Sequence, residues 1–160
     1  MPASLPKVYL ETTVISYLTA RPHRDVVVAG HQLTTRDWWS TARDRFECLA
    51  SLLVVREARQ GDPIAAQERM EVLDLIPWLS ISDESLLLAE KLVAEGAIPE
   101  KVMDDALHLA IAALNKVNYL ATWNCRHLAN PQMWPRIDAV CRDWGCQPPL
   151  ICTPEQLLED

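Results

Sequence analysis

MDDALHLAIAALNKVNYLATWN, residues 103–124, joins a helix that is apolar on nearly every side to a short apolar strand. Ala106, Leu107, Leu109, Ala110, Ile111, Ala113 and Leu114 surround the expected helix between about Val102 and Lys116, so it should be buried. Val117 to Thr122 reads as the strand, with Tyr119-Leu120-Ala121-Thr122 at its heart. A buried helix feeding directly into an apolar strand belongs to a parallel sheet covered on both faces.

The same alternation extends in both directions. Lys7 to Leu10 reads as a short buried strand, and Thr12 or Thr13 is placed to cap a helix beginning near Val14. Residues 24 to 46 look helical in their second half, with Val26 to Gly30 ambiguous. Cys48 to Val54 suits a second strand running into a helix, and Gly61-Asp62-Pro63 ends that helix and starts another reaching about Leu75. Trp78 to Ile81 is expected as a strand, Ser82 as a helix cap and Gly96 as that helix's end. Residues 125 to 130 and 132 to 144 read as helical, Leu150 to Cys152 as a last strand, and Thr153-Pro154-Glu155 as a terminal helical turn. The expected class is α/β, organised as one domain over residues 1–160.

Of the 160 residues, 49% are hydrophobic and 23% charged, a globular balance. No apolar run approaches the ~20 residues of a membrane span, and no signal-peptide core precedes Glu11, so a cytoplasmic protein is expected. The net charge of −7 argues against broad electrostatic binding of nucleic acid, although a local basic rim remains compatible with it. Arg36, Arg43, Arg45, Arg56 and Arg59 form a locally basic stretch that reads equally well as a solvated helix face. Five cysteines, Cys48, Cys125, Cys141, Cys146 and Cys152, argue for reduced thiols. A zinc site from Cys125, His127, Cys141 and Cys146 is conceivable, but its spacing fits no common finger.

Three acids lie at or just after apolar runs: Glu11, Glu57 and Asp105. In a parallel α/β fold such ends converge on one crevice. Carboxylates gathered there repel one another unless a cation lies between them, and oxygen ligands select a hard ion such as Mg²⁺ or Mn²⁺. Taken singly, each acid has a plainer reading: Glu11 on a helix dipole, Glu57 on a solvated face, Asp105 on free N–H groups. Asp104 suits the ordinary first-turn acid. His108, three residues beyond Asp105, suits a structural or neighbouring role better than that of a ligand. Asn124 can offer a carbonyl oxygen to a metal, or cap a turn. Only four glycines occur, and no nucleotide-binding glycine loop, nucleophile elbow or H-E-x-x-H motif is present.

The segments VYLETTVISYL (8–18), SLLVVREARQGDP (51–63), MDDALHLAIAALNKVNYLATWNCRHLAN (103–130) and ICTPEQLL (151–158) together resemble the PIN-domain family, most of all its VapC-like toxin branch. The resemblance implies a three-layer α/β/α sandwich with a central, mainly parallel sheet. It also implies a Mg²⁺- or Mn²⁺-dependent endoribonuclease, typically dimeric and paired with an antitoxin in a type II toxin–antitoxin system. The implied metal ligands are Glu11, Glu57 and Asp105, with Asn124 completing the catalytic set. Thr12, Thr13, Asp104, Thr122 and His127 are candidate supporting residues, the threonines through hydroxyl contacts. Glu11 stands where aspartate is usual, and Asn124 and His127 fall in the family's fourth acidic region. These departures lower the charge of the site, so the alternative is a weak or inactive PIN-fold module that binds nucleic acid or protein. Trp38 and Trp39 are candidates for a surface facing an antitoxin, or for the core.

Overall fold

The structure, a computed structural model, describes residues 4–158. Five strands form a wholly parallel sheet: β1 Lys7–Leu10, β2 Glu47–Ser51, β3 Trp78–Leu79, β4 Tyr119–Ala121 and β5 Leu150–Cys152. Their spatial order is β3-β2-β1-β4-β5. Among the described residues, seven α-helices cover it in an α/β/α arrangement: α1 Thr12–Thr19, α2 Val26–Thr41, α3 Leu52–Ala58, α4 Pro63–Leu73, α5 Asp83–Ala94, α6 Met103–Leu114 and α7 Trp134–Trp144. Helix α1 contacts α2, α3 and α4, α3 contacts α4, and α5 contacts α6 and α7.

β1 is the central strand, so Val8, Tyr9 and Leu10 are closed on both faces and fully buried. α6 buries Ala106 to Ala113 without interruption, which matches its unbroken apolar circumference. Leu109 and Ile111, fully buried on this helix, each contribute about 1.5–3 kcal/mol relative to exposure. The chain leaves β1 for β2 and β3 on one side, then returns to place β4 on the other. That reversal creates a topological switch point at the carboxyl ends of β1 and β4. Glu11 directly follows β1 and Thr122 directly follows β4. The ladder carries one bond further, from the Glu11 N–H to the Ala121 carbonyl at 3.0 Å.

Several boundaries differ from expectation for local reasons. α1 begins at Thr12, and its cap is Glu11, whose carboxylate accepts from the Thr13 N–H, rather than Thr12 or Thr13. Val26 to Gly30 is helical because the Asp25 side chain accepts from the N–H groups of Val27 and Val28. β3 stops at Leu79, as an edge strand paired on one side only. Residues 125–130 are turns, not helix, because the Asn124 carbonyl collects the N–H groups of Leu128 and Ala129 and closes the chain there. α7 accordingly starts at Trp134, with Pro135 in its first turn. Trp38 is fully buried and Trp39 packs partly against the core under Arg43, so Trp38 presents no surface to a partner. Among the described residues no helix is long and apolar enough to cross a membrane.

Candidate metal centre at the switch point

Glu11, Glu57 and His108 each direct a ligand atom into one space, with those atoms within 4.8 Å of one another. They come from three segments: the residue after β1, the last turn of α3 and the second turn of α6. Among the described residues this is the only group of His, Cys, Asp and Glu gathered closely enough to share a cation. The zinc alternative fails here, since Cys125, His127, Cys141 and Cys146 form no such group.

Threonines hold the two acids. Glu11 is 5% exposed, so its carboxylate needs nearby donors. Its Oε1 accepts from the Thr13 N–H at 3.2 Å, the Thr13 hydroxyl at 2.5 Å and the Thr122 hydroxyl at 2.7 Å. Thr13 Oγ1 in turn accepts from the Trp123 N–H at 2.9 Å, and Thr122 Oγ1 accepts from the Asn124 N–H at 2.9 Å. The Oε1 of Glu57 accepts from the Thr12 hydroxyl at 2.5 Å and bonds to His108 Nε2 at 2.7 Å. Among the described residues, every hydrogen bond to these two acids lands on Oε1. Each carboxylate thus uses one oxygen for its scaffold, and its Oε2 takes no hydrogen bond among the described residues. Two carboxylates and an imidazole suit a divalent cation.

Charge and burial oppose each other across the cluster. Burial alone pushes Glu57 up, but the His108 hydrogen bond and charge, with help from Thr12 and Arg56, outweigh it and hold its pKa below the ordinary value. Burial alone pushes His108 down, yet the Glu57 hydrogen bond and the charges of Glu11, Glu57 and Asp105 leave it raised. Glu57 and His108 therefore behave as an ion pair. Asp105 is raised, first by burial and also by the charge of Glu11, against the hydrogen bond from Asn124. It lies near enough to feel Glu11, His108 and His127.

The other expected residues divide. Asn124 does not present its oxygen to the cluster: Oδ1 accepts from the His127 N–H at 3.1 Å, and Nδ2 donates to Asp105 Oδ2 at 2.9 Å. It is a donor that holds Asp105, because the turn that follows claims its oxygen. Asp104 is exposed and stands 3.8 Å from Arg56. The basic stretch is dispersed: the Arg36 guanidinium donates to the carbonyls of Leu18 and Ala20 at the end of α1, Arg45 donates to the Leu157 carbonyl, and Arg43 lies over the Trp39 ring. Arg56, exposed on α3 beside Glu57, is the member next to the cluster.

Two features were undervalued in the sequence. His108 is 1% exposed and central to the cluster. Its signal was the single ionisable group in the middle of an otherwise apolar helix. Tyr9 is fully buried, and its hydroxyl bonds to His108 Nδ1 at 2.6 Å and Ser51 Oγ at 2.7 Å. A phenol inside a central strand must find such a partner, but which partner depends on strand order. No family model matches the chain, and no curated protein sequence does.

Proposed function

We propose that this chain is a PIN-type, VapC-like endoribonuclease dependent on Mg²⁺ or Mn²⁺, acting in the cytoplasm as the dimeric toxin of a toxin–antitoxin pair. The observation that supports it most is the gathering of Glu11, Glu57 and His108, with Asp105 beside them, at the β1/β4 switch point. The scaffold bonds to Glu11 and Glu57 occupy only Oε1 of each.

Glu11, Glu57 and Asp105 hold the cation in this reading. When bound, a divalent cation activates water and offsets charge on the phosphoryl oxygens. Glu57, kept ionised by His108, orients the attacking water. Thr13 and Thr122 fix Glu11, Thr12 fixes Glu57, and Asn124 fixes Asp105. Arg56 receives an RNA phosphate at the rim; with a net charge of −7, RNA binding is local rather than spread over the surface.

Cleavage of structured RNA in Mn²⁺ tests the proposal. Asp105→Asn should abolish it while circular dichroism and the unfolding transition persist, and full activity in that variant refutes the assignment. A second reading, a PIN-fold binding module that does not cut, draws support from Asn124, whose neutral amide already satisfies one oxygen of Asp105. RNA binding without Mn²⁺-dependent cleavage across a broad substrate panel would favour it.

A further inference from the structure

Metal-binding histidines usually fix their second ring nitrogen on a carboxylate or backbone carbonyl, which accepts only and so demands an N–H there. His108 meets a hydroxyl instead. Tyr9 Oη lies 2.6 Å from Nδ1 and 2.7 Å from Ser51 Oγ, and Ser51 Oγ also accepts from the Val54 N–H at 3.2 Å. A phenol both donates and accepts. Two proton arrangements satisfy this chain when the ring is neutral, at a pH above that of the ion pair. In one, Ser51 donates to Tyr9 and Tyr9 donates to Nδ1, so Nε2 carries the hydrogen that reaches Glu57. In the other, Nδ1–H donates to Tyr9 and Tyr9 donates to Ser51, so Nε2 can be bare. The ring, Tyr9 and Ser51 keep their places in both: the hydroxyl hydrogens rotate, and the ring carries its one hydrogen on Nε2 in the first arrangement and on Nδ1 in the second.

We propose that Tyr9 and Ser51 are positioning residues, a reversible hydroxyl pair that lets the fixed His108 ring act either as an N–H donor to Glu57 or as a nitrogen ligand to a cation at the same spot. Three observations support it. His108 belongs to the group whose ligand atoms lie within 4.8 Å of one another, and its Nε2 is the nitrogen that meets Glu57, 2.7 Å from Oε1. The ring is held edge-on by Tyr9, with centroids 5.7 Å apart, and is 1% exposed, so it has no room to swing in and out. The scaffold bonds to Glu11 and Glu57 occupy only Oε1 of each, and both acids belong to the same group of ligand atoms. A mixed nitrogen and oxygen set favours Mn²⁺ over Mg²⁺, which keeps to oxygen and water. The inference rests on the proposed cation site and adds a ligand, two positioning residues and a metal preference to it.

The test is pulsed electron paramagnetic resonance of Mn²⁺ bound to the full chain, read for coupling to an imidazole ¹⁴N, with Mn²⁺ and Mg²⁺ affinities measured by calorimetry. Wild type should show the coupling, and His108→Gln should lose it. Tyr9→Phe keeps the ring in the core and removes the hydroxyl. It should weaken Mn²⁺ binding by about tenfold or more and diminish the coupling, with a far smaller effect on Mg²⁺. Bound Mn²⁺ without ¹⁴N coupling in the wild type overturns the inference while leaving the proposed nuclease intact, and it needs no variant to fold. Unchanged Mn²⁺ affinity and coupling in a folded Tyr9→Phe also overturns it. Absence of any divalent-cation binding to wild type refutes both this and the proposed function. Nitrogen coupling without RNA cleavage upholds the site and refutes the nuclease.

Discussion

Replacing Glu57 by alanine isolates the Glu57–His108 pair, and its cost can be worked from the contacts. The substitution removes the acceptor 2.7 Å from His108 Nε2 and 2.5 Å from the Thr12 hydroxyl. Stripping one partner from a buried ion pair costs about 3–5 kcal/mol. The Glu57 side chain is 25% exposed, so water enters the space it leaves. The stranded imidazolium can also shed its proton and retain only the about 1–3 kcal/mol penalty of a buried donor without an acceptor. The expected loss is therefore about 2–3 kcal/mol, or roughly 5–10 °C in Tm for a chain of this size. Its pH dependence has a definite sign. Glu57 is lowered from 4.5, so its contribution is present above that value and lost as pH falls through its folded pKa. His108 is raised from 6.5, so its contribution is present below that value and lost as pH rises through its folded pKa. Both are fully expressed between 4.5 and 6.5. Urea unfolding with a chelator present, at about pH 5.5 and about pH 8.5, should show a larger penalty at the lower pH. An equal penalty at both, or one under about 0.5 kcal/mol at the lower pH, would refute the ion pair, since a stranded buried donor alone costs more.

Asp105→Asn should move stability the other way in chelator. The raised pKa means that the charge of Asp105 is unfavourable at neutral pH. The neutral side chain keeps the bond from Asn124 and gains about 0.5 kcal/mol after the lost helix-dipole term; a clear loss in calorimetry would contradict this. Saturating Mn²⁺ should raise wild-type stability by about 2.7 kcal/mol at a hundred times Kd, and that increment should largely vanish in Asp105→Asn. Thr122→Val removes a fully buried donor to Glu11 and the acceptor of the Asn124 N–H. It should cost about 1–3 kcal/mol, read as a shifted urea midpoint, and a neutral result would mean that Glu11 does not depend on its scaffold.

The alternation of short apolar runs with amphipathic or buried helices was readable in the chain. Apolar residues closed on both sides, as at Val8 to Leu10 and Ala106 to Ala113, leave no other arrangement than a covered parallel sheet. Glu11 and Asp105 were readable as candidates for the same reason, since each marks where such a run meets a helix start. The capping of α1 by Glu11 itself, and the helical state of Val26 to Gly30 behind Asp25, turned on single side-chain bonds that spacing does not encode.

The tertiary structure alone decided which groups meet. Tyr9 reaches His108 across 99 positions of sequence and Ser51 across 42, and these contacts exist because β1 lies between β2 and β4. Strand order is a global outcome of packing, and a periodic pattern carries no record of it. The orientation of Asn124 was likewise set by the turn that follows it, whose N–H groups compete for its oxygen atoms. Local periodicity determines which residues must be buried; only the completed sheet determines which buried polar atoms find one another.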